Sequence, residues 1–146
     1  MKSPEARATQ VKWDLAAGTE ETMIRFLPIM QTDILLRYKE QVLIIDTKYY
    51  GHTMQMQYDK ATLYSGNVYQ IFTYVKNQDA ANTGNVPGML LYVKTEEAIT
   101  PDCSFVMGGN KISVKTLDLN KEFKLIAAQL DKIAEDHFGK EMAVVG

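Results

Sequence analysis

Apolar and polar positions begin to sort into a pattern at Ile24. Residues 26–38 are rich in Ile, Leu and Met, with Gln31 and Asp33 polar at alternate positions in the middle, the period of a half-buried strand. Residues 42–50 predict a second strand, opening with the apolar run Val42, Leu43, Ile44, Ile45, and residues 38–41 carry the turn between the two. Residues 51–60 are polar and rich in Met and Gln, and read as a loop. A helix is predicted over 62–78, because Tyr64, Val68, Ile71, Phe72 and Val75 fall on one face at helical spacing. The Asn, Gly and Asp of residues 77–87 mark a loop, and Met89 to Val93 predict a buried strand over 88–95. Residues 104–107 and 111–117 form a hairpin closed by Gly108, Gly109 and Asn110. The last element is an amphipathic helix over 121–138, with Phe123, Ile126, Ala127, Leu130, Ile133 and Ala134 as its core face, Asn120 as N-cap and Gly139 at its C-terminal end. Before Gly18 the pattern is weak, with Trp13 and Leu15 as apolar anchors. The chain is therefore expected to be one domain over 1–146, with 1–18 as a flexible or truncated N-terminal segment. The element order predicts an α/β fold, helices against a mixed sheet.

Composition narrows the class. The 146 residues are 46% apolar and 23% charged, an ordinary balance for a chain that buries one core. A lone cysteine, Cys103, excludes an internal disulfide and a cysteine-based zinc site. No apolar run approaches the ~20 residues that span a bilayer, and the first ten residues lack the apolar stretch of a signal peptide. The expectation is a cytoplasmic protein with no membrane partner. The net charge of −2 matters more. A domain that grips nucleic acid unaided usually carries a basic excess, since phosphate contacts supply most of the affinity. If this chain works on nucleic acid, another component does much of the holding.

The candidate chemistry lies in Asp33 and in Asp46-Thr47-Lys48. Side chains alternate along a strand, so Asp46 and Lys48 share a face. If the two strands pair antiparallel about a turn between Lys39 and Glu40, Asp33 falls opposite Asp46 and a slip of one residue would separate them. Two adjacent carboxylates in an apolar hairpin repel each other unless a cation sits between them. Mg²⁺ takes one or two carboxylates with waters and phosphate oxygens. A neighbouring lysine can orient or deprotonate a water that attacks phosphorus. The bland alternative is an exposed cross-strand ion pair, since D-x-K arises often by chance. Against it, Asp46 closes an apolar run, where a solvent-facing charge is less expected. On the following helix Asn67, Gln70 and Tyr74 form one polar stripe, expected opposite the core face. It is either a solvated surface or a phosphate-binding and lysine-supporting pair.

These segments resemble a known family. Residues 27–36 (Leu27-Pro28-Ile29-Met30-Gln31-Thr32-Asp33-Ile34-Leu35-Leu36) and 42–50 (Val42-Leu43-Ile44-Ile45-Asp46-Thr47-Lys48-Tyr49-Tyr50) resemble the PD-(D/E)xK nuclease core, and more narrowly the McrC-type subunit of 5-methylcytosine restriction systems. Residues 65–77, with the Q-x-x-x-Y element Gln70 and Tyr74, and residues 88–92 are similar to the same family, so the resemblance runs from about Trp13 to the last helix. It implies a restriction-endonuclease-like fold and a DNA endonuclease acting with Mg²⁺, or Mn²⁺ as substitute, beside a GTP-driven AAA+ motor that recognises modified DNA. By position it makes Asp33 and Asp46 the metal-binding acids, Thr47 a metal ligand through its backbone carbonyl, Lys48 the catalytic lysine, and Gln70 and Tyr74 the Q-x-x-x-Y pair of the catalytic set. Three features depart from the pattern. Thr32 stands where the motif has proline, the upstream helical glutamate is unplaced with Glu20 and Glu21 as candidates, and the chain resembles a C-terminal nuclease portion alone. Cutting both strands implies a homo-oligomer or two events. The alternative of another class is a non-catalytic DNA-binding or assembly module of the same fold, and RNA as substrate stays open.

Other conspicuous residues read as structural. His52 and His137 lack ligand spacing, and Cys103 reads as a packed or surface residue. Met54 and Met56 read as gap fillers. Gly108-Gly109-Asn110 is turn chemistry, without the strand-to-helix context of a phosphate cradle.

Overall fold

A computed structural model describes residues 5–49, 54–57, 60–63, 65–94 and 102–139. The chain runs β1 (Glu5–Val11), α1 (Glu21–Ile24), β2 (Met30–Tyr38), β3 (Gln41–Tyr49), β4 (Met54–Gln57), β5 (Lys60–Leu63), α2 (Ser65–Gln78), β6 (Gly88–Lys94), β7 (Cys103–Met107), β8 (Asn110–Asp118) and α3 (Phe123–Phe138). Six strands form one mixed sheet in the order β1-β2-β3-β6-β8-β7, while β4 and β5 pair separately. The pairings β3–β6 and β6–β8 are parallel and the rest antiparallel. A parallel neighbour needs a crossover, and α2 supplies the one from β3 to β6.

The central strands are apolar on both faces, as their unbroken runs require. Ile44, Leu90, Ile112 and Val114 point towards α2 and pack with Ile71, Tyr74 and Val75, whereas Leu43, Ile45, Met89 and Leu91 point towards α3. Helix α2 lies very close to the sheet. A Cβ on Gly88 would come within 2.5 Å of Val75 Cγ2, so glycine is what lets the helix settle there. This is the α/β restriction-endonuclease-like architecture, a mixed six-stranded sheet flanked by helices.

Several local expectations change. The weakly patterned opening forms β1, an edge strand whose polar residues face outward and therefore show little hydrophobic signal. Phe26 is not in a strand. It follows the one-turn helix α1 and is 87% exposed, and β2 starts at Met30. The presumed loop at 51–60 contains strand β4, which pairs with β5. The helix expected from residue 62 is α2 and starts at Ser65, because residues 60–63 are used as strand. Asn110 is a fully buried residue of β8, and the turn is made by Gly108 and Gly109 at φ 55° and 88°, the two positive values of a type I′ hairpin.

Helix α3 touches the sheet through the narrower stripe Ile126, Ile133 and Phe138, leaving Phe123 85% and Leu130 45% exposed. Its N-cap is Glu122, without a side-chain cap, because Asn120 is held in a turn by its N–H donating to Asp118 Oδ1 at 2.9 Å. Gly139 ends the helix as expected, at φ 95° with its N–H donating to the Glu135 carbonyl at 2.8 Å. His52 lies outside the described residues.

Candidate active site

The β2–β3 hairpin obeys the register read from its turn. Tyr38 faces Gln41, and the pairing continues without slip to Ile34 opposite Ile45. There the ladder ends, one step before Asp33 and Asp46. The cause is a bulge on the other side of β2. Between the pairs Arg7–Leu35 and Thr9–Thr32, the single β1 residue Ala8 faces two β2 residues, Asp33 and Ile34. Met30 and Leu35, five apart, consequently lie in the same core cluster, which strict alternation forbids. Buried Thr32 secures the irregularity, its hydroxyl accepting from the Thr9 N–H at 3.3 Å and donating to the Thr9 carbonyl at 3.2 Å. Bulges of this kind re-aim side chains beside active sites. Here the bulge aims Asp33 across β3, where its Oδ2 accepts from the Thr47 N–H at 2.8 Å and the Thr47 hydroxyl at 2.9 Å.

Asp46 lies beneath α2 and is only 3% exposed. Its Oδ2 is 3.1 Å from Lys48 Nζ, an ion pair too bent to count as a good hydrogen bond. Lys48 Nζ also donates to Gln70 Oε1 at 2.9 Å, and Gln70 Nε2 is bonded to the Tyr74 hydroxyl at 2.9 Å. One chain of contacts thus runs from Asp46 through Lys48 and Gln70 to Tyr74. The tyrosine is what orients the amide, leaving its oxygen for the lysine.

The polar stripe of α2 therefore faces the sheet. Asn67 and Tyr74 are buried and Gln70 is half-buried, contrary to the expectation that they lie opposite the core. Their polar ends are wanted by the strands below, so helical polarity here marks a site and not a solvated surface.

The two acids are electrostatically unlike. Burial pushes Asp46 up to about 6, and its hydrogen bond with Asp33 adds to this, while the charge of Lys48 opposes it. For Asp33 partial burial acts upward, but hydrogen bonds from Asp46 and from the N–H and hydroxyl of Thr47 hold it below its usual range. When the pair holds a single proton, below about pH 6, Asp46 is the partner that bears it. A buried carboxylate oxygen lacking a well-aligned donor, next to a second carboxylate that stays ionised, is a donor set that suits a hard divalent cation. Among the described residues no group of three His, Cys, Asp or Glu gathers to hold a metal, so Glu20 and Glu21 do not join these two aspartates. No described helix is long and apolar enough to cross a membrane.

The structure adds two roles that the sequence reading missed. Thr47 anchors Asp33 with its hydroxyl as well as its N–H. Tyr92 on β6 lies directly beside Lys48 in the parallel register, fully buried. Nothing local marks Tyr92, because the β3–β6 register depends on a crossover and no short turn sets it.

Residues 2–93 match the sequence profile of the McrBC 5-methylcytosine restriction system component family. Over 137 residues the chain is 28% identical to the Type IV methyl-directed restriction enzyme EcoKMcrBC of Escherichia coli (strain K12), an alignment covering 94% of this chain and 38% of that relative. The chain spans well under half the relative's length. The profile match contains Asp33, Asp46, Lys48, Gln70 and Tyr74 together with strands β1 to β5 and β6 up to Val93, and on that match the chain belongs to the McrBC 5-methylcytosine restriction system component family.

Proposed function

We propose that this chain is a Mg²⁺-dependent endodeoxyribonuclease module, hydrolysing phosphodiester bonds of DNA within a modification-dependent restriction complex. One observation carries the reading: Asp46, Lys48, Gln70 and Tyr74 meet in one contact chain under α2, and Asp33 on the neighbouring strand is hydrogen-bonded to Thr47, the residue between Asp46 and Lys48. In this reading Asp33 and Asp46 hold the metal, Mn²⁺ being a substitute, and the backbone carbonyl of Thr47 joins them. When bound, the cation supplies a water of lowered pKa and neutralises charge on the phosphate.

The chain's own residues do the rest. Thr47 locks the Asp33 carboxylate in its ionised form by two hydrogen bonds. Lys48 orients the water that attacks phosphorus and steadies the charge growing on the phosphate oxygens. Gln70 fixes the ammonium, and Tyr74 fixes Gln70. The water oxygen bonds to phosphorus as one ester P–O bond breaks. The attacking water gives up one proton to solvent and the departing alkoxide takes one up from solvent, so the step balances. The relative is described as a methyl-directed restriction enzyme, and this supports a DNA substrate. A net charge of −2 supports reliance on a partner, in our reading an AAA+ GTPase motor. The same reading puts the complex in the cytoplasm, with a second copy or a second event for the opposite strand.

Plasmid cleavage with Mg²⁺ or Mn²⁺, with and without the motor and GTP, tests it. Cutting should depend on the metal and fall by about 10³-fold or more in Asp46→Ala. Cutting that survives in Asp46→Ala overturns the assignment, and no cutting even with motor and GTP favours a non-catalytic assembly module.

A further inference from the structure

Among the described residues four buried side-chain atoms lack a hydrogen-bond partner: Thr9 Oγ1, Asp46 Oδ2, Asn67 Nδ2 and Tyr92 OH. Each such atom has given up its hydrogen bonds to water without replacement, and native folds keep few of them. Of these residues, Asp46 is the ion-pair partner of Lys48, Tyr92 neighbours Lys48 in strand register, and Asn67 neighbours its partner Gln70 on α2. Tyr92 sits opposite Lys48 across the parallel β3–β6 pair, fully buried among the α2-facing residues. Asn67, 9% exposed and one turn before Gln70 on α2, stands beside the Tyr92 hydroxyl, close enough to act on it but not aligned as a hydrogen bond. Burial raises the Tyr92 phenol above its usual range, so it stays a neutral hydroxyl, able to accept as well as donate.

Lys48 carries three N–H donors, and two of its partners are Asp46 Oδ2 at 3.1 Å and Gln70 Oε1 at 2.9 Å. A divalent cation on Asp46 would claim that oxygen and repel the ammonium. The lysine then needs another acceptor that keeps it over the site, and a buried hydroxyl without a partner lies on the next strand. We propose that Tyr92, braced by Asn67, is the acceptor that takes the Lys48 ammonium when a cation occupies the aspartates, which makes Tyr92 and Asn67 positioning residues for the lysine. The inference rests on the metal-dependent reading above.

Calorimetric titration with Ca²⁺, which takes oxygen ligands as Mg²⁺ does, tests it on the wild-type chain, Tyr92→Phe and Asn67→Leu, alongside thermal melting. Tyr92→Phe keeps the ring and deletes an unpaired hydroxyl, so its melting temperature should equal or exceed the wild type. Its Ca²⁺ affinity should nevertheless fall by about fivefold or more, the direction seen when outer partners of a metal site are lost. Asn67→Leu should weaken Ca²⁺ binding in the same direction, and in plasmid cleavage both variants should lose kcat with KM unchanged. Unaltered Ca²⁺ affinity in both variants, with the wild type binding, overturns this inference alone. A wild type that binds no Ca²⁺ overturns the metal-dependent reading and the inference with it. A Tyr92→Phe protein that melts several degrees lower makes the hydroxyl structural and also overturns the inference.

Discussion

At neutral pH Asp46 is ionised in a place that disfavours charge, beneath a helix and beside a second acid. Its pKa rises on folding from 3.8 to about 6, so between those values the native state binds more protons than the unfolded chain. Stability from this group is therefore fully present below pH 3.8 and is lost as pH rises through 6. Asp46→Asn removes the titration and keeps the shape. Its melting temperature should exceed the wild type's at pH 7.5 by about 3 °C or more and converge with it near pH ~4.5. Mg²⁺ should raise the melting temperature of the wild type at pH 7.5 and leave the variant unmoved. Differential scanning calorimetry at the two pH values, with and without metal, checks both expectations. A variant less stable than the wild type at pH 7.5 would mean that the Lys48 ion pair outweighs burial.

Between elements, the end of α2 is tied down by a dense set of side-chain hydrogen bonds. Asp79, just beyond the helix, accepts hydrogen bonds from the Thr83 N–H (3.0 Å) and hydroxyl (2.8 Å), the Gly84 N–H (2.8 Å) and the Asn110 amide (3.0 Å). Burial acts to raise its pKa, yet the bonds from Asn110, Thr83 and Gly84 hold the carboxyl far below the usual range. Lys76 Nζ extends the network to Asn110 Oδ1 and the Gly108 carbonyl, each at 2.9 Å. Helix α2, its exit turn and the β7–β8 hairpin become one unit, and that unit holds Gln70 over Lys48. Asp79→Ala leaves buried donors unpaired and should cost about 2–4 kcal/mol in urea denaturation. The loss should shrink as pH falls below 3.8, since stability from a carboxyl of lowered pKa disappears on acidification. A cost under about 0.5 kcal/mol would show the network to be incidental.

On the scale of the molecule, charge sets a limit. With 16 basic against 18 acidic residues the chain carries no net positive charge to draw a polyanion, and two of those acids, Asp33 and Asp46, stand in its site. Alone it should bind duplex DNA weakly, with a plot of log K against log salt no steeper than about −3, the mark of few phosphate contacts. Fluorescence anisotropy over a salt series measures this directly. A slope near −6 or steeper would reveal a basic surface that net charge conceals, and would remove the need for a partner to hold the DNA.

The division between what sequence alone determined and what the tertiary structure decided follows the range of the interactions. Short-range physics was legible. A two-residue turn set the β2–β3 register through Ile34–Ile45, the unbroken apolar runs marked central strands, and helical spacing placed Gln70 and Tyr74 on one stripe. Strand β1 was hidden because an edge strand needs apolar residues on only part of one face, and β4 was hidden because its Met-Gln alternation is only four residues long and uses residue types that do not favour strands. Only long-range contacts decided the site's shape. The bulge at Asp33–Ile34 exists because β1 pairs with β2 out of step, the polar stripe turns inward because the strands beneath it carry Lys48, and Tyr92 stands beside that lysine in the sheet because the crossover fixes which residues of β3 and β6 are neighbours. The sequence named the chemical groups, since their types and local spacing are written in it. Their distances and protonation came from burial and from strands brought together across more than forty residues, which no local pattern encodes.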